Sequence, residues 1–278
     1  MKAINSVEQF IRQEKKHKAF ILISQISLAI LFVALWELLA RLNVINVFLV
    51  SKPSDIFALF IRYVQSGELF THIKISLLET LLGLIIGTIL GLLIGILLWW
   101  NETIAKVLDP FLVILNALPK TALAPILIIW AGTGIKGIVL VAVSLSIVVT
   151  ILSSYNYFIN VDKEQIKMMK TMGASKFQIL TKLVLPANIP NILNIIKINI
   201  GMSWVGVIVG EFLVSREGIG YLVVYGGQVF KLDLVMMGVV ILGILALIMY
   251  LVLNYIEKYY RYKRYSRKKP KKQAIKQP

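Results

Sequence analysis

Six apolar runs, at residues 19–40, 73–100, 111–131, 135–159, 191–214 and 234–256, occupy most of this 278-residue chain. Each reaches the ~20 residues that a helix needs to cross a hydrocarbon core. No water is present there to satisfy peptide groups, so runs of this length become helices that bond their own backbone. The expected fold is therefore all-α and polytopic. Hydrophobic residues make up 58% of the chain, above the roughly 45–50% of a soluble domain. The first run exceeds the ~7–15 apolar residues of a signal peptide and lacks a small-x-small cleavage site, so it reads as a retained span.

The polar segments set the orientation. Of the 30 Lys and Arg residues, 21 fall in the segments 1–18, 101–109, 160–188 and 257–278, all on one side if six spans are threaded in order. Cytoplasmic loops carry that excess, which places both termini and segment 160–188 inside. Topology thus accounts for the net charge of +16, and no nucleic-acid partner is implied. The chain divides into a basic N-terminus (1–18), a first span with an outer amphipathic segment (19–72), a five-span core (73–256) and a basic tail (257–278). The tail is also rich enough in cations to attract anionic headgroups.

Composition and motifs exclude most chemistry. There is no Cys and only 2 His, which removes disulfides, thiol catalysis and the usual zinc sites. No Gly-x4-Gly-Lys-[Ser/Thr] loop occurs, and no carboxylates pair for acid-base work. Gly132, Gly134 and Gly137 match a dinucleotide-binding pattern, but they lie in a turn between apolar runs and lack the preceding strand that pattern requires. No catalytic residue, metal or cofactor is expected.

Segment 160–188 is unlike a plain connector. Ile166, Met169, Lys170 and Met172 recur at helical spacing, Gly173 breaks the pattern, and Ser175 is placed to cap a second helix with Phe177, Ile179, Leu180, Leu183 and Val184 on one side. Pro186 is expected to end it. Exposed Met and Phe rimmed by Lys163, Lys167, Lys170, Lys176 and Lys182 make this a docking surface.

Elsewhere, Pro53 opens an amphipathic stretch that closes at Ser66-Gly67. Gly83, Gly87, Gly91 and Gly95 form a small-xxx-small ladder in the second run, a face for close helix packing. Glu79 is either an intramembrane functional carboxylate or a group near the outer boundary that reaches water. Pro119 and Pro125 interrupt the third run, as is tolerated where a helix lines a cavity or packs on protein. Lys120 is a snorkelling side chain or a pathway residue. Lys197 can snorkel to the inner interface. Glu211 is interfacial or part of a path, and Trp204 lies in the same run.

Gly173, Leu183, Leu185 and Pro186 stand at the spacing of a cytoplasmic signature that runs Glu-Ala-Ala, three residues, Gly, nine residues, Ile, any residue, Leu-Pro. The chain thereby resembles the membrane permeases of bacterial binding-protein-dependent ABC importers. Lys167, Met168 and Met169 replace Glu-Ala-Ala, and Glu164 supplies an acidic residue one turn earlier. The segment Pro119-Lys120, Ala122, Pro125, Trp130, Gly132 and Gly134 is similar to the nitrate, sulfonate and taurine branch. Glu211 followed by Gly218, Gly220 and Tyr221 matches a further family pattern, as do Ser66 to Leu69 with Ser76 and Leu77.

The resemblance covers about residues 50–230 and implies a type I importer permease fold in the bacterial inner membrane. It implies ABC ATPase subunits docked in the cytoplasm on Glu164, Lys167, Met169, Met172, Gly173, Ala174, Phe177, Leu183, Leu185 and Pro186. It further implies an extracytoplasmic solute-binding protein outside. Six spans form a narrow bundle, so two copies are expected to enclose the path, with Glu79, Pro119, Lys120, Pro125, Trp204 and Glu211 as path candidates. An ion-coupled transporter of a small solute is the rival reading, with Glu79 and Lys120 as its candidate charges.

Overall fold

The computed structural model describes residues 2–267, all helix and connecting turns. The last residues of the basic tail expected over 257–278 lie outside the described residues. The helices are α1 (Lys2–Arg41), α2 (Val47–Val50), α3 (Pro53–Ser66), α4 (Glu68–Trp100), α5 (Glu102–Ala117), α6 (Ala124–Ala131), α7 (Ile135–Ile159), α8 (Lys163–Thr171), α9 (Lys176–Ile179), α10 (Leu185–Val214), α11 (Ile219–Gln228) and α12 (Leu232–Arg267). Five helical stretches are long and apolar enough to span, and α5 with the segment ending in α6 adds a sixth if that bent pair is one span.

The chain forms two compact units. The smaller comprises residues 1–66 and 225–237. Here α1 exposes apolar side chains such as Phe20, Leu28 and Phe32 along its length. Its outer end is tied down by polar contacts: Trp36 Nε1 donates to the Ser51 carbonyl at 3.3 Å. Glu37 accepts from Arg41 at 2.7 Å and from the Ser54 amide at 3.0 Å. Glu37 therefore holds the first turn of α3, whose first position is Pro53, where a missing amide costs nothing.

The larger unit, residues 67–224 and 238–278, is built on α4, α7 and α10, the three most extensively packed helices. The glycine ladder of α4 lies against small residues of α7 in register: Gly83 on Ala142, Gly87 on Ser146, Gly91 on Thr150 and Gly95 on Ser154. Gly206 of α10 packs on Ala142 from the other side, so one fully buried alanine marks the closest approach of three helices. Packing of backbone on backbone is the main attraction available between helices in lipid.

Two expected boundaries shift. Segment 101–109 is not a polar connector: Asn101 caps α5 by accepting from Thr103 and Ile104 amides at 3.0 and 3.1 Å, and Glu102 pairs with Lys106 at 2.9 Å. The helix runs through Pro110 and breaks at Leu118-Pro119, with an 84° bend. Nor does Pro186 end a helix. A π-helical turn over Leu180–Val184 leads into α10, where Pro186 occupies the first turn. That position asks for no amide, and the wider turn joins α9 to the fifth span without a stop.

Candidate functional site

The insert between α7 and α10 is shaped by caps that the local sequence encodes. Asp162 accepts from the Glu164 amide at 2.9 Å and starts α8. At its far end Gly173 has φ +79°, its amide donates to Lys170 at 3.0 Å and the Ala174 amide to Met169 at 3.0 Å. This is a Schellman closure, which favours glycine. Ser175 and Gln178 then form a reciprocal capping box, at 3.3 and 2.8 Å, which fixes the start of α9.

Caps at every turn leave the insert with one arrangement and two faces. Inward, Ile166, Met169, Ala174, Leu183 and Leu185 pack on a core of Phe158, Val161, Ile179, Leu180 and Val184. Outward stand Met168, Met172 and Phe177, exposed by 56%, 79% and 63%, with Glu164, Lys167 and Gly173 beside them. The candidate residues thus divide: Met169, Ala174, Leu183 and Leu185 hold the insert to the spans, and Pro186 is half-buried at the head of α10. Met168, which sequence reasoning left out, belongs to the exposed face.

A second cluster lies at the other end of α4 and α10. Glu79 and Glu211 are each 1% exposed, so neither is an interfacial group reaching water. Glu211 accepts from Ser76 Oγ and from the Gly220 amide, both at 2.5 Å. The Ile219 amide donates to Ser76 Oγ at 2.8 Å and the Gly218 amide to His72 Nδ1 at 2.9 Å. A Cβ on Gly218 or Gly220 would collide with the Glu211 carboxyl. The glycines let the chain between α10 and α11 wrap a buried carboxylate, fastening that turn to α4.

The remaining path candidates separate in the same way. Trp204 is 4% exposed and sits with Leu84 and Ile200 in a cluster that Leu242 and Met249 of α12 complete. Glu79, Trp204 and Glu211 therefore lie inside the helix bundle. Pro119 and Pro125 are exposed around the break between α5 and α6, and Lys120 is half-buried there, bonded to the Asn116 carbonyl at 3.2 Å. Lys197 pairs with Glu257 and lies 5.6 Å from the Tyr250 ring centroid. Sequence reasoning missed Asn199, which bridges Thr88 of α4 and Thr150 of α7 at 2.9 and 2.8 Å.

A close-packed core of long apolar helices, a sharply bent helix pair and a capped insert define a polytopic membrane protein. Residues 83–262 match the family described as binding-protein-dependent transport system inner membrane component, and the chain belongs to that family. It is 28% identical over 235 residues to SsuC of Bacillus subtilis (strain 168), named for aliphatic sulfonate transport, covering 84% of this chain and 85% of that one. It is 24% identical over 223 residues to the taurine transport permease TauC of Escherichia coli (strain K12), covering 78% and 81%. Among solved structures, a chain of the MetNI methionine ABC transporter in an inward-facing conformation superposes with a TM-score of 0.60 at 19% identity. That match covers 70% of this chain and 97% of the other, and it supports the type I importer permease fold. The protein is a multi-pass component of the bacterial inner membrane.

Proposed function

We propose that two copies of this chain enclose a solute path and that a separate cytoplasmic ATPase drives them by pushing on the α8–α9 insert, with a binding protein delivering solute outside. The observation that carries this is the exposed apolar trio Met168, Met172 and Phe177. It stands on two helices whose starts are capped by Asp162 and Ser175 and whose other face is built into the core. Three large apolar side chains held out on a basic, rigid surface fit a protein partner better than water. A push there reaches α7 and α10, between which the insert is threaded, and so moves the core between two rigid arrangements.

The path, in this reading, runs along the outer face of α10, where Ile198, Val205 and Phe212 are exposed, and along the broken helix at Pro119, Lys120 and Pro125. The solute is a small organic anion of the sulfonate or taurine kind, after the relatives' names. An ion-coupled mechanism would have to use Glu79, enclosed in the bundle, and Lys120, which donates to the Asn116 carbonyl across the break between α5 and α6.

Reconstitution into proteoliposomes with its ATPase and binding protein tests the proposal. Taurine or an alkanesulfonate should enter only with ATP and binding protein present. Uptake driven by a sodium or proton gradient without ATP would overturn it.

A further inference from the structure

Lys176 is the first residue of α9, a position where a cation opposes the helix dipole. Its ammonium donates to the Trp100 carbonyl at 2.5 Å. That carbonyl belongs to the last residue of α4, at the negative end of a 33-residue helix, where a cation is favoured. The same ammonium lies 5.8 Å from the Trp99 ring centroid and 5.6 Å from that of Trp100, within cation–π range of both. Trp99, with Leu92 and Ile96 of α4, also packs on the core beneath the insert. One residue further on, Asn101 caps α5.

We infer that Lys176 is a positioning residue that clasps the insert to the corner between α4 and α5, so that a push on the insert is delivered to the second and third spans as well as to α7 and α10. The inference rests on the coupling role proposed above. Chain connectivity alone ties the insert to α7 and α10 only. Leu92, Ile96 and Trp99 already join α4 to the core that contains Ile179; the clasp adds a directional tie at the α4–α5 corner, without which part of a push is absorbed before it reaches α5. Lys176 is thus removed from the docking rim, although its position in the sequence groups it with Lys163, Lys167, Lys170 and Lys182.

The test separates docking from transmission. Lys176→Met keeps the aliphatic stem and removes the ammonium; Lys176→Arg keeps a cation that can stack on Trp and donate to the carbonyl. In proteoliposomes with ATPase and binding protein, Lys176→Met should keep wild-type ATPase association and ATP hydrolysis but transport severalfold less solute per ATP. Lys176→Arg should recover most of that ratio. An unchanged ratio in Lys176→Met would overturn the inference, and so would lost ATPase association, which would return Lys176 to the docking surface. If Lys176→Met fails to reach the membrane, Trp100→Leu decides, because it removes one ring from an exposed position and should lower the same ratio. Failure of the docking proposal shows separately, as normal association in Gly173→Arg or when Phe177 is truncated to alanine.

Discussion

Ser76 of α4 donates its hydroxyl to the Glu211 carboxylate of α10 at 2.5 Å while accepting the Ile219 amide at 2.8 Å. One hydroxyl therefore joins the second span, the fifth span and the start of α11. Burying a carboxyl group is costly unless hydrogen bonds surround it, and here the Ser76 hydroxyl, the Gly220 and Tyr221 amides and the buried Glu79 carboxyl do so. The small residues at 218 and 220 exist to let that backbone approach.

Two glycines of the same helix test this. Gly220 of α11 has Glu211 Oε2 only 2.7 Å from where a Cβ would stand, whereas Gly227 has nothing within 4 Å. Gly220→Ala should overpack the site, at ~1–3 kcal/mol, and lower both thermal stability in detergent and transport. Gly227→Ala should be neutral or stabilising by up to ~1 kcal/mol, since alanine is the better helix former. Equal melting temperatures for the two variants would show that Glu211 does not hold the turn.

The glycine ladder makes a similar demand along α4. A Cβ at Gly91 would lie 2.5 Å from Thr150 Cβ and 2.6 Å from its Cγ2, while Gly243 in α12 is open. Gly91→Ala should therefore part α4 from α7 and destabilise by ~1–3 kcal/mol, and Gly243→Ala should not. Fluorescence-detected gel filtration and melting in one detergent compare them directly. Wild-type behaviour of Gly91→Ala would mean that α4 and α7 are not in backbone contact.

What the sequence made legible was chiefly local. Gly173, Ser175 and the apolar spacing around them specify a turn and two faces within a few residues, and the four-residue glycine period specifies a packing stripe. What it hid depended on partners far along the chain. Ser76 and Glu211 are 135 residues apart, so no local pattern pairs them. Asn199 meets Thr88 and Thr150 only once three helices are assembled. Pro186 reads as a helix stop, but a π turn over Leu180–Val184 places it in the first turn of α10, where its missing amide is tolerated. The contact of Lys176 with Trp100, 76 residues earlier, was hidden for the same reason as that of Ser76 with Glu211.

Orientation follows from the charge bias and gives a third expectation. Met172 is 79% exposed in the insert, and Gln65 is exposed near the end of α3. The chain has no Cys, so Met172→Cys and Gln65→Cys each provide one thiol. In intact cells an impermeant maleimide should label Gln65→Cys and leave Met172→Cys unlabelled until the membrane is permeabilised. The reverse pattern would invert the topology and remove the insert from any cytoplasmic ATPase.

The docking face itself turns on Gly173. Its φ of +79° costs a residue with a Cβ roughly 1–2 kcal/mol, yet a Cβ there meets nothing within 4 Å, so added bulk harms nothing inside this chain. Gly173→Ala and Gly173→Arg therefore share the same backbone strain and differ in what they present to a partner. Both should reach the membrane at normal levels, because the strain is confined to an insert whose neighbouring caps at Asp162 and Ser175 remain. Gly173→Ala should keep most of its ATPase association in a detergent pull-down. Gly173→Arg, placing a long cation beside Met172 and Phe177, should lose that association together with binding-protein-stimulated ATP hydrolysis. Equal losses would assign the whole effect to the turn, and normal association in both would show that the face formed by Met168, Met172 and Phe177 docks no ATPase.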